Sequence, residues 1–443
     1  MSKQKRRLRI INPEAGGIDV GSEKIFISVE AEEVKSFNTF TNSFAEAVKY
    51  LQENGVKTVA MESTGVYWIT LYDMIKEAGI EVYVVNGREV KNVPGRKSDV
   101  ADCQWIQQLH SYGLLRASFI PEANIRQLRS YMRLRTDHIN KLSSQILLMQ
   151  KALDLMNIKL HNVISDITGV SGLKILRAII QGETDPIKLT EMCDKQILNN
   201  KKDLVTESLR GYYKEEDIFT LRQALEIYDF YEKKIEECDK AIEKLLNEMT
   251  SEKPIPKKIS KQKKVNHNSH PPKIEDLHLS LMKLTEGKDP SQVTGLSDYT
   301  MLQAISEVGT DLSKWKTEKH FTSWLGLSPG KHSSGKSNKQ KSLHKNTRAG
   351  QIFKRSAFAV ANSKNNALIG FYRRIKSKHG AGVAIKATAR KIAVMFYNIM
   401  TKGFDFVEQG LKKYQETYEI HLRKRLEKQA KKLGLTLVPS VVH

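Results

Sequence analysis

The chain has 443 residues, of which 40% are hydrophobic, and it carries a formal net charge of +22 at pH 7. This size allows two or three domains, and the hydrophobic content excludes a wholly disordered chain. No run of about 18 apolar residues is present, which excludes a membrane-spanning helix. The basic start MSKQKRRLRI lacks the apolar stretch of a signal peptide. The excess positive charge therefore indicates a nucleic-acid partner rather than a membrane.

The cysteine content indicates a reducing compartment. Cys103, Cys193 and Cys238 are far apart, odd in number and without a CxxC pair. This pattern indicates neither a zinc site nor a disulfide framework, and it predicts a cytoplasmic protein. Cys103 falls in a helical pattern and is predicted to be a small buried residue.

The first part of the chain alternates strand and helix patterns. Residues 16–41 contain three strand patterns, GIDVG, KIFISVE and VKSFNTF, and a helix is predicted over 43–53. The strand VKTVAM ends at Glu62, a helix follows over 66–78, and EVYVVN is a further strand. A polar loop then leads to a helix beginning near Ser98. The order βββαβαβ–loop–α predicts an α/β fold, a mixed sheet with helices packed on it.

Four carboxylates occupy the ends of these elements. Asp19 lies within GIDVGS on the first strand, Glu62 closes a central strand, and Asp99 and Asp102 are three residues apart on one helix face. Such carboxylates repel unless a hard cation such as Mg²⁺ or Mn²⁺ binds them, and two such ions can support phosphoryl transfer. The alternative is a structural role, since an Asp at a helix start favourably meets the helix dipole. GIDVGS also resembles the phosphate loop of actin-like ATPases, but the second glycine-rich motif of those proteins is missing.

A long helix is predicted over residues 122–156. Its apolar side chains recur every three or four residues, and only Arg135 interrupts the series. A second seam of this kind runs from Tyr231 to Met249. Two such helices predict an antiparallel coiled-coil arm with a small helical insertion at its tip, or alternatively two members of a helical bundle.

The last part of the chain is strongly basic. Residues 253–273 are rich in Lys and Pro with almost nothing to bury, as in a linker. From Lys319 to Phe404 there are 18 Lys and Arg but no Asp or Glu, which favours a polyanion-binding surface over an ordinary solvated one. Before this stretch, a helix–turn–helix pattern contains Gly295 and Gly309. It fits a helix-hairpin-helix motif that clamps a nucleic-acid backbone and an ordinary helical hairpin equally well.

The loop SWLGLSPGKHSSGKS places Ser333 and Ser334 between Lys331 and Lys336. A serine can attack a phosphodiester if its proton is removed and the phosphate charge is offset. The alternative, favoured by the residues alone, is a flexible Ser/Gly loop.

Basic and aromatic residues interleave beyond this loop. Basic side chains are predicted to contact phosphates, while Phe358 is predicted to belong to the core. The predicted nucleic-acid-binding residues are Lys331, Lys336, Arg348, Lys354, Arg355, Arg373 and Arg374.

The sequence resembles the DEDD transposases of bacterial insertion sequences, a family that includes the Piv-like DNA invertases. The segments GIDVGSEKIFISV, MESTGVYW and VPGRKSDVADCQWI are similar to that family's RuvC-like, or RNase H-like, domain. The resemblance implies that Asp19, Glu62, Asp99 and Asp102 form its catalytic, metal-binding tetrad. The family loop Gly-Leu-x-Pro…Ser-Gly implies that Ser334 is the nucleophile, with Ser333 as its neighbouring rival. Beyond Lys336 the sequence departs from the family's glycine- and arginine-richer pattern.

The resemblance also implies a DNA transposase or recombinase that acts on element ends and target DNA. It further implies a homo-oligomer, a dimer or tetramer, and a structured non-coding bridge RNA as guide. Two alternatives remain: a RuvC-like nuclease or Holliday junction resolvase that uses water, and a non-enzymatic nucleic-acid binder. The expected organisation is a carboxylate domain at 1–120, a helical arm at 121–252, a linker at 253–290, a mainly helical basic domain at 291–404 and a basic helical tail at 405–443.

Overall fold

A computed structural model describes residues 9–29, 33–87, 99–257, 259–263, 270–329, 347–363, 367–403 and parts of 416–436. The chain divides into two compact units, Met1–Ile120 and Pro121–His443. Within the described residues, no helix is long and apolar enough to cross a membrane.

The first unit is built on a five-stranded mixed sheet. The strand order is β3-β2-β1-β4-β5, with β1 antiparallel to β2 and parallel to β4. This confirms the predicted α/β architecture of the RNase H/RuvC-like type. The strands are β1 (Ala15–Val20), β2 (Lys24–Ser28), β3 (Val34–Asn38), β4 (Thr58–Glu62) and β5 (Glu81–Val85), and the helices are α1 (Thr41–Glu53), α2 (Trp68–Glu77) and α3 (Asp99–Ser111).

The two faces of the sheet are covered by different helices. Ile18 of β1 packs with Leu51 of α1 and Leu71 of α2 in one core cluster. Ala60 of β4 packs with Ile106 of α3 in another cluster. Because alternate strand residues point to opposite faces, the residues in step with Ala60 face α3.

The carboxyl end of α3 is fixed by a buried histidine. His110 is 1% exposed, and its Nε2 forms a 2.9 Å hydrogen bond with Thr58 Oγ1. The Asn12 side chain donates to the His110 carbonyl at 2.7 Å. Burial lowers the pKa of His110 to about 4, so the neutral ring is the form that fits this core.

The second unit begins with a pair of long antiparallel helices, α4 (Ala123–Leu155) and α9 (Glu215–Thr250). Near the start of α4, Leu128 packs with Leu245, whereas near its end Met149 packs with Leu221. The two predicted apolar seams therefore pair with each other inside one chain. Four short helices at the far end form the insertion: α5 (Leu160–Val163), α6 (Val170–Ile180), α7 (Pro186–Glu191) and α8 (Lys195–Ser208).

Arg135, the one polar residue in the first seam, is itself buried, at 1% exposure. Its Nε lies 2.5 Å from Asp239 Oδ1 of α9, and Nη1 donates to the His270 carbonyl at 2.9 Å and the Tyr299 hydroxyl at 3.1 Å. The backbone N–H of Lys273 also donates to Asp239, at 3.0 Å. Arg135 therefore joins both long helices to the segment that follows them.

The remainder of the unit is helical. The segment predicted as a linker contains α10 (Leu277–Leu284), in which Leu281 and Met282 are fully buried. The Lys263 ammonium donates to the carbonyls of Ser291 and Val293, so this Lys-rich stretch packs against the helical core. The remaining helices are α11 (Asp298–Val308), α12 (Glu318–Trp324), α13 (Arg348–Ala361), α14 (Ala367–His379) and α15 (Ala381–Lys402).

An aromatic core joins three of these helices. Phe321 of α12 lies 6.3 Å from the rings of both Phe353 of α13 and Phe396 of α15. The Tyr397 hydroxyl donates to the Trp315 carbonyl at 2.6 Å. Large fully buried rings contribute strongly to stability, so these contacts stabilise the packing of α12 against α13 and α15.

Candidate active site

Asp19 and Glu62 lie side by side at the carboxyl ends of two parallel strands. The register pairs Gly17 with Ala60 and Ile18 with Met61, so the next step sets Asp19 level with Glu62. Neighbouring strands are about 4.8 Å apart, and residues in this register face the same side. Glu62 is 8% exposed and Asp19 is half-buried. The two carboxylates are thus held on the sheet face that α3 covers.

Gly17 allows α3 to lie directly on this face. A Cβ at Gly17 would overlap the backbone of Cys103 and Gln107. The Gln107 amide donates to the carbonyls of Ala15 and Val29, each at 3.2 Å. Only glycine permits this close approach. The GIDVGS motif therefore has two roles: Gly17 allows α3 to pack on β1, and Asp19 supplies a carboxylate.

The amino end of α3 therefore points to the carboxyl end of β1. Gln107 contacts Ala15, and Cys103 lies over Gly17. Four residues of a helix cover about 6 Å and two residues of a strand about 6.7 Å. Each turn of α3 therefore advances along β1 by about two strand residues. One further helical turn places the backbone of Asp99, the first residue of α3, level with Asp19.

The electrostatics of Cys103 connect Asp102 with Asp19. Burial, and after it the charges of Asp19 and Asp102, raise the pKa of the Cys103 thiol to about 12. Both carboxylates therefore act on one buried sulfur atom. The thiol stays protonated near neutral pH, which confirms the prediction of a buried structural cysteine and excludes a thiolate nucleophile.

Gly87 also lines this site, although no sequence motif singles it out. A Cβ at Gly87 would overlap Glu62 Oε1 and would lie 2.7 Å from the carboxyl carbon and 3.2 Å from Oε2. The Thr64 hydroxyl donates to the same carboxylate at 3.5 Å. The Gly87 backbone thus forms one wall around Glu62, and a side chain at this position would displace the carboxylate.

The donor set fits a hard cation in its chemistry, because all four side chains offer carboxylate oxygens. Among the side chains that the structure describes, no three His, Cys, Asp or Glu residues are grouped closely enough to hold a metal. The strand register places Asp19 beside Glu62, but Asp19, Glu62 and Asp102 together do not form such a group. The side chain of Asp99 lies outside the described residues.

The loop predicted to contain the nucleophile also lies outside the described residues, with Lys331, Ser333, Ser334 and Lys336. Its two ends are held together. The Thr347 hydroxyl donates to the Leu325 carbonyl at 3.0 Å, and a Cβ at Gly350 would overlap that same oxygen. The chain therefore leaves and re-enters the aromatic core at one place.

The predicted nucleic-acid-binding residues that are described lie on α13 and α14. Arg348, Arg355, Arg373 and Arg374 are exposed. Burial, followed by repulsion from Lys386, lowers the pKa of Lys354, which is half-buried. These residues share positive charge but lie on two helices, and Lys354 lies on a different face of α13 from Arg348 and Arg355.

A second group of cations surrounds Phe371. The Arg374 guanidinium lies 5.6 Å from the ring centroid and the Lys391 ammonium 4.8 Å from it. Burial, and then repulsion from Arg374, lower the pKa of Lys391 to about 8. A bound anion would relieve this repulsion.

The prediction that Phe358 belongs to the core is wrong, since this side chain is 56% exposed. Helix α13 instead buries Phe353, Ala357 and Val360. Phe358 follows Ala357 by one position and so points about 100° away from it.

Comparison with known families gives two matches. Residues 16–158 match a DEDD transposase of the IS110 type, and residues 291–373 match the transposase family IS116/IS110/IS902. The first range contains the sheet, the four carboxylates and α4, and the second contains Ser333, Ser334 and α13. No curated protein matches the chain.

Proposed function

The chain belongs to the IS110-type family of DEDD transposases, and we propose that it cuts and rejoins DNA through Ser334 and a divalent-metal carboxylate site. The enzyme class, a DNA transposase or recombinase, follows from the family.

The observation that supports the proposal most is the register of β1 and β4. It sets Asp19 level with Glu62 on one sheet face, and the amino end of α3, with Asp99 and Asp102, approaches the same strand end. Elements distant in sequence thus direct acidic residues to one edge of the sheet. Structural carboxylates would have no need of this convergence, because like charges repel.

Asp19, Glu62, Asp99 and Asp102 would hold Mg²⁺ or Mn²⁺. When bound, the ion offsets negative charge on the phosphate oxygens as the strand is transferred. Among the described side chains, Asp19, Glu62 and Asp102 do not by themselves form a metal-holding group, so the proposal rests on the strand register and on the family match.

Ser334 would act as the nucleophile in two balanced steps. Its hydroxyl loses a proton, Oγ bonds to phosphorus, and the bond from phosphorus to one deoxyribose oxygen breaks, so that this oxygen leaves with a proton as a DNA hydroxyl. A hydroxyl of the partner strand then attacks the phosphoserine and restores the serine. One phosphodiester replaces another, so no ATP is consumed. Lys331 and Lys336 would offset the phosphate charge.

The partners are proposed on the same basis. The DNA substrates are the element ends and the target, and the acid-free basic stretch from Lys319 to Phe404 supplies the surface that holds them. We also propose a structured non-coding RNA as guide, a homo-oligomer, either a dimer or a tetramer, as the active form, and a cytoplasmic location.

A covalent protein–DNA adduct tests the nucleophile. The purified chain with co-expressed element RNA is mixed with labelled element-end DNA and Mg²⁺, and the adduct is detected after denaturation. The wild type and, in part, Ser333→Ala should form it, whereas Ser334→Ala should bind DNA without forming it. Loss of the adduct only in Ser333→Ala would move the nucleophile by one residue. Metal-dependent cutting without any adduct would establish a nuclease that uses water.

A further inference from the structure

A groove in the second unit lies between α4, α11 and α13. Its volume is about 660 Å³, which is within the range of binding pockets for small molecules. Most of the side chains that line it are polar, and the apolar ones are Met132, Leu134 and Ile352. The polar residues that matter here are Arg133, Asn140, Gln303, Arg348, Gln351 and Arg355.

The acids of this groove are already neutralised by neighbours. Arg133 forms two hydrogen bonds to Glu307, at 2.8 and 2.7 Å, and Arg129 lies 3.5 Å from the same carboxylate. Asp137 pairs with Lys141 at 3.0 Å. The acids therefore do not cancel the charge of Arg348 and Arg355.

Arg348 and Arg355 form no ion pair or hydrogen bond with any part of the chain that the structure describes. Their spacing of seven residues places both on one face of α13, with Gln351 between them. Arg348 is also the first residue of its helix, where the helix dipole disfavours a cation. Helix stability therefore does not account for this arginine.

Three carboxamides face the same space. Asn140 comes from α4, Gln303 from α11 and Gln351 from α13. Their side chains make no hydrogen bonds to one another or to other described residues. Carboxamides and guanidinium groups are the side chains that pair most readily with base edges, while guanidinium groups also bind phosphates.

We propose that this groove binds an unpaired stretch of nucleic acid, in which Arg348 and Arg355 hold phosphates and the three carboxamides contact base edges. In a duplex the base edges are recessed in grooves, and a concave protein surface cannot reach them. Unpaired bases are splayed outward and can enter such a cavity. The inference rests on the proposed function, because that function supplies a nucleic-acid partner.

The groove is distinct from the other basic surface of the same domain. Lys354 lies about 100° around α13 from Arg355, and its pKa is lowered by burial and by Lys386 of α15. Arg374 and Lys391 likewise meet at Phe371 between α14 and α15. The described contacts at that second surface join cations to an aromatic ring, which suits backbone binding that is indifferent to sequence.

The test measures binding of three fluorescent probes to the full chain: a short unpaired DNA of mixed sequence, its RNA counterpart and the corresponding DNA duplex. One variant is Arg348→Gln with Arg355→Gln. Its matched control is Lys195→Gln with Lys202→Gln, which removes two exposed charges from the insertion helix α8. A third variant, Gln303→Ala with Gln351→Ala, removes two carboxamides and leaves the charge unchanged. Circular dichroism shows whether each variant is folded.

The arginine variant should bind the unpaired probe about tenfold more weakly, and its salt slope should be shallower by about 1.4, since a single-stranded contact contributes about 0.7. The control should change neither quantity. The carboxamide variant should keep the salt slope but lose its preference among probe sequences. A loss limited to RNA identifies a guide segment as the occupant, and a loss limited to DNA identifies a substrate strand.

The proposal is overturned if the arginine variant binds unpaired probes as tightly as the control does, or if it loses duplex binding to the same extent. The adduct assay separates this outcome from failure of the proposed function. If a groove variant binds nucleic acid normally and forms the adduct in full yield, the groove proposal fails while the proposed serine nucleophile is unaffected. If the wild type shows groove-dependent binding but forms no adduct, the assignment of Ser334 as nucleophile fails while the groove proposal stands.

Discussion

Gly87→Ala should disable the carboxylate site with a single methyl group. The added Cβ would overlap Glu62 Oε1 and lie 2.7 Å from the carboxyl carbon, against the 3.4 Å at which ordinary contacts begin. The carboxyl group must therefore retreat by about 0.7 Å or more. A displacement of about 1 Å in a reacting site costs on the order of 100-fold in rate. The backbone itself should accept alanine, since Gly87 does not have a positive φ angle.

The assay is cleavage of labelled element-end DNA in Mg²⁺, together with thermal unfolding of the same preparations. Gly87→Ala should cut about 100-fold more slowly, as a group misplaced by about 1 Å does, and should unfold at nearly the wild-type temperature. Gly382→Ala is the control, because a Cβ there meets no atom within 4 Å. A wild-type rate for Gly87→Ala would refute the claim that this wall positions Glu62. A slow rate that appears only with a large loss of stability would refute it as well.

Three further predictions follow from the same structure. Glu62→Gln and Asp102→Asn should each abolish cleavage while the protein stays folded by circular dichroism, and full activity of either variant would remove that residue from the site. Arg135→Met should lower the free energy of unfolding by about 3–5 kcal/mol, because it leaves Asp239 charged at 2% exposure, and Arg135→Met with Asp239→Leu should recover much of the loss in urea titrations. His110 has a pKa of about 4 in the folded chain and 6.5 in the unfolded chain, so the unfolded chain is protonated first as the pH falls. Stability should therefore fall between pH 7 and pH 4, with about 2 kcal/mol lost by pH 5. His110→Gln should lack this pH-dependent loss.

The fold of the first unit could be predicted from local patterns because each of its elements shows a clear period. Strand patterns with turn residues between them gave β1 to β5 in the right order, and the helix predicted from Ser98 begins at Asp99. The order of strands and helices predicts a mixed sheet, whereas the pairing order β3-β2-β1-β4-β5 comes from the structure. The bounds differ from the predicted ones by only one or two residues, which is the usual uncertainty of helix ends.

Arg135 shows where local patterns are insufficient. By periodicity it looks like a break in an apolar seam, but its role depends on Asp239, more than 100 residues later, and on the carbonyl of His270. Composition was equally insufficient for residues 253–290, because buried Leu281 and Met282 follow the Lys- and Pro-rich part. Both features depend on contacts between distant segments, which a periodic pattern does not contain.

The acids of the candidate site could be proposed from the sequence, whereas its glycines could not. Asp19, Glu62, Asp99 and Asp102 stand out because carboxylates at strand and helix ends are chemically conspicuous. Gly17 and Gly87 matter because other backbone or carboxylate atoms occupy the positions where their Cβ atoms would lie. A glycine after a strand is normally attributed to a turn, and nothing in its immediate neighbours distinguishes a turn from a close approach.

The charge of the basic stretch in the sequence differs from the charge of the surface that it forms after folding. Residues 319–404 contain no acid, yet the fold brings Glu307 and Asp137 beside Arg348 and Arg355. Those acids would have cancelled the two arginines if Arg133, Arg129 and Lys141 did not already pair with them. The positive charge that a polyanion can meet therefore depends on which arginines and lysines already form ion pairs with neighbouring acids. Among the described residues of the groove, Arg348 and Arg355 are therefore the cations that remain available to a bound phosphate.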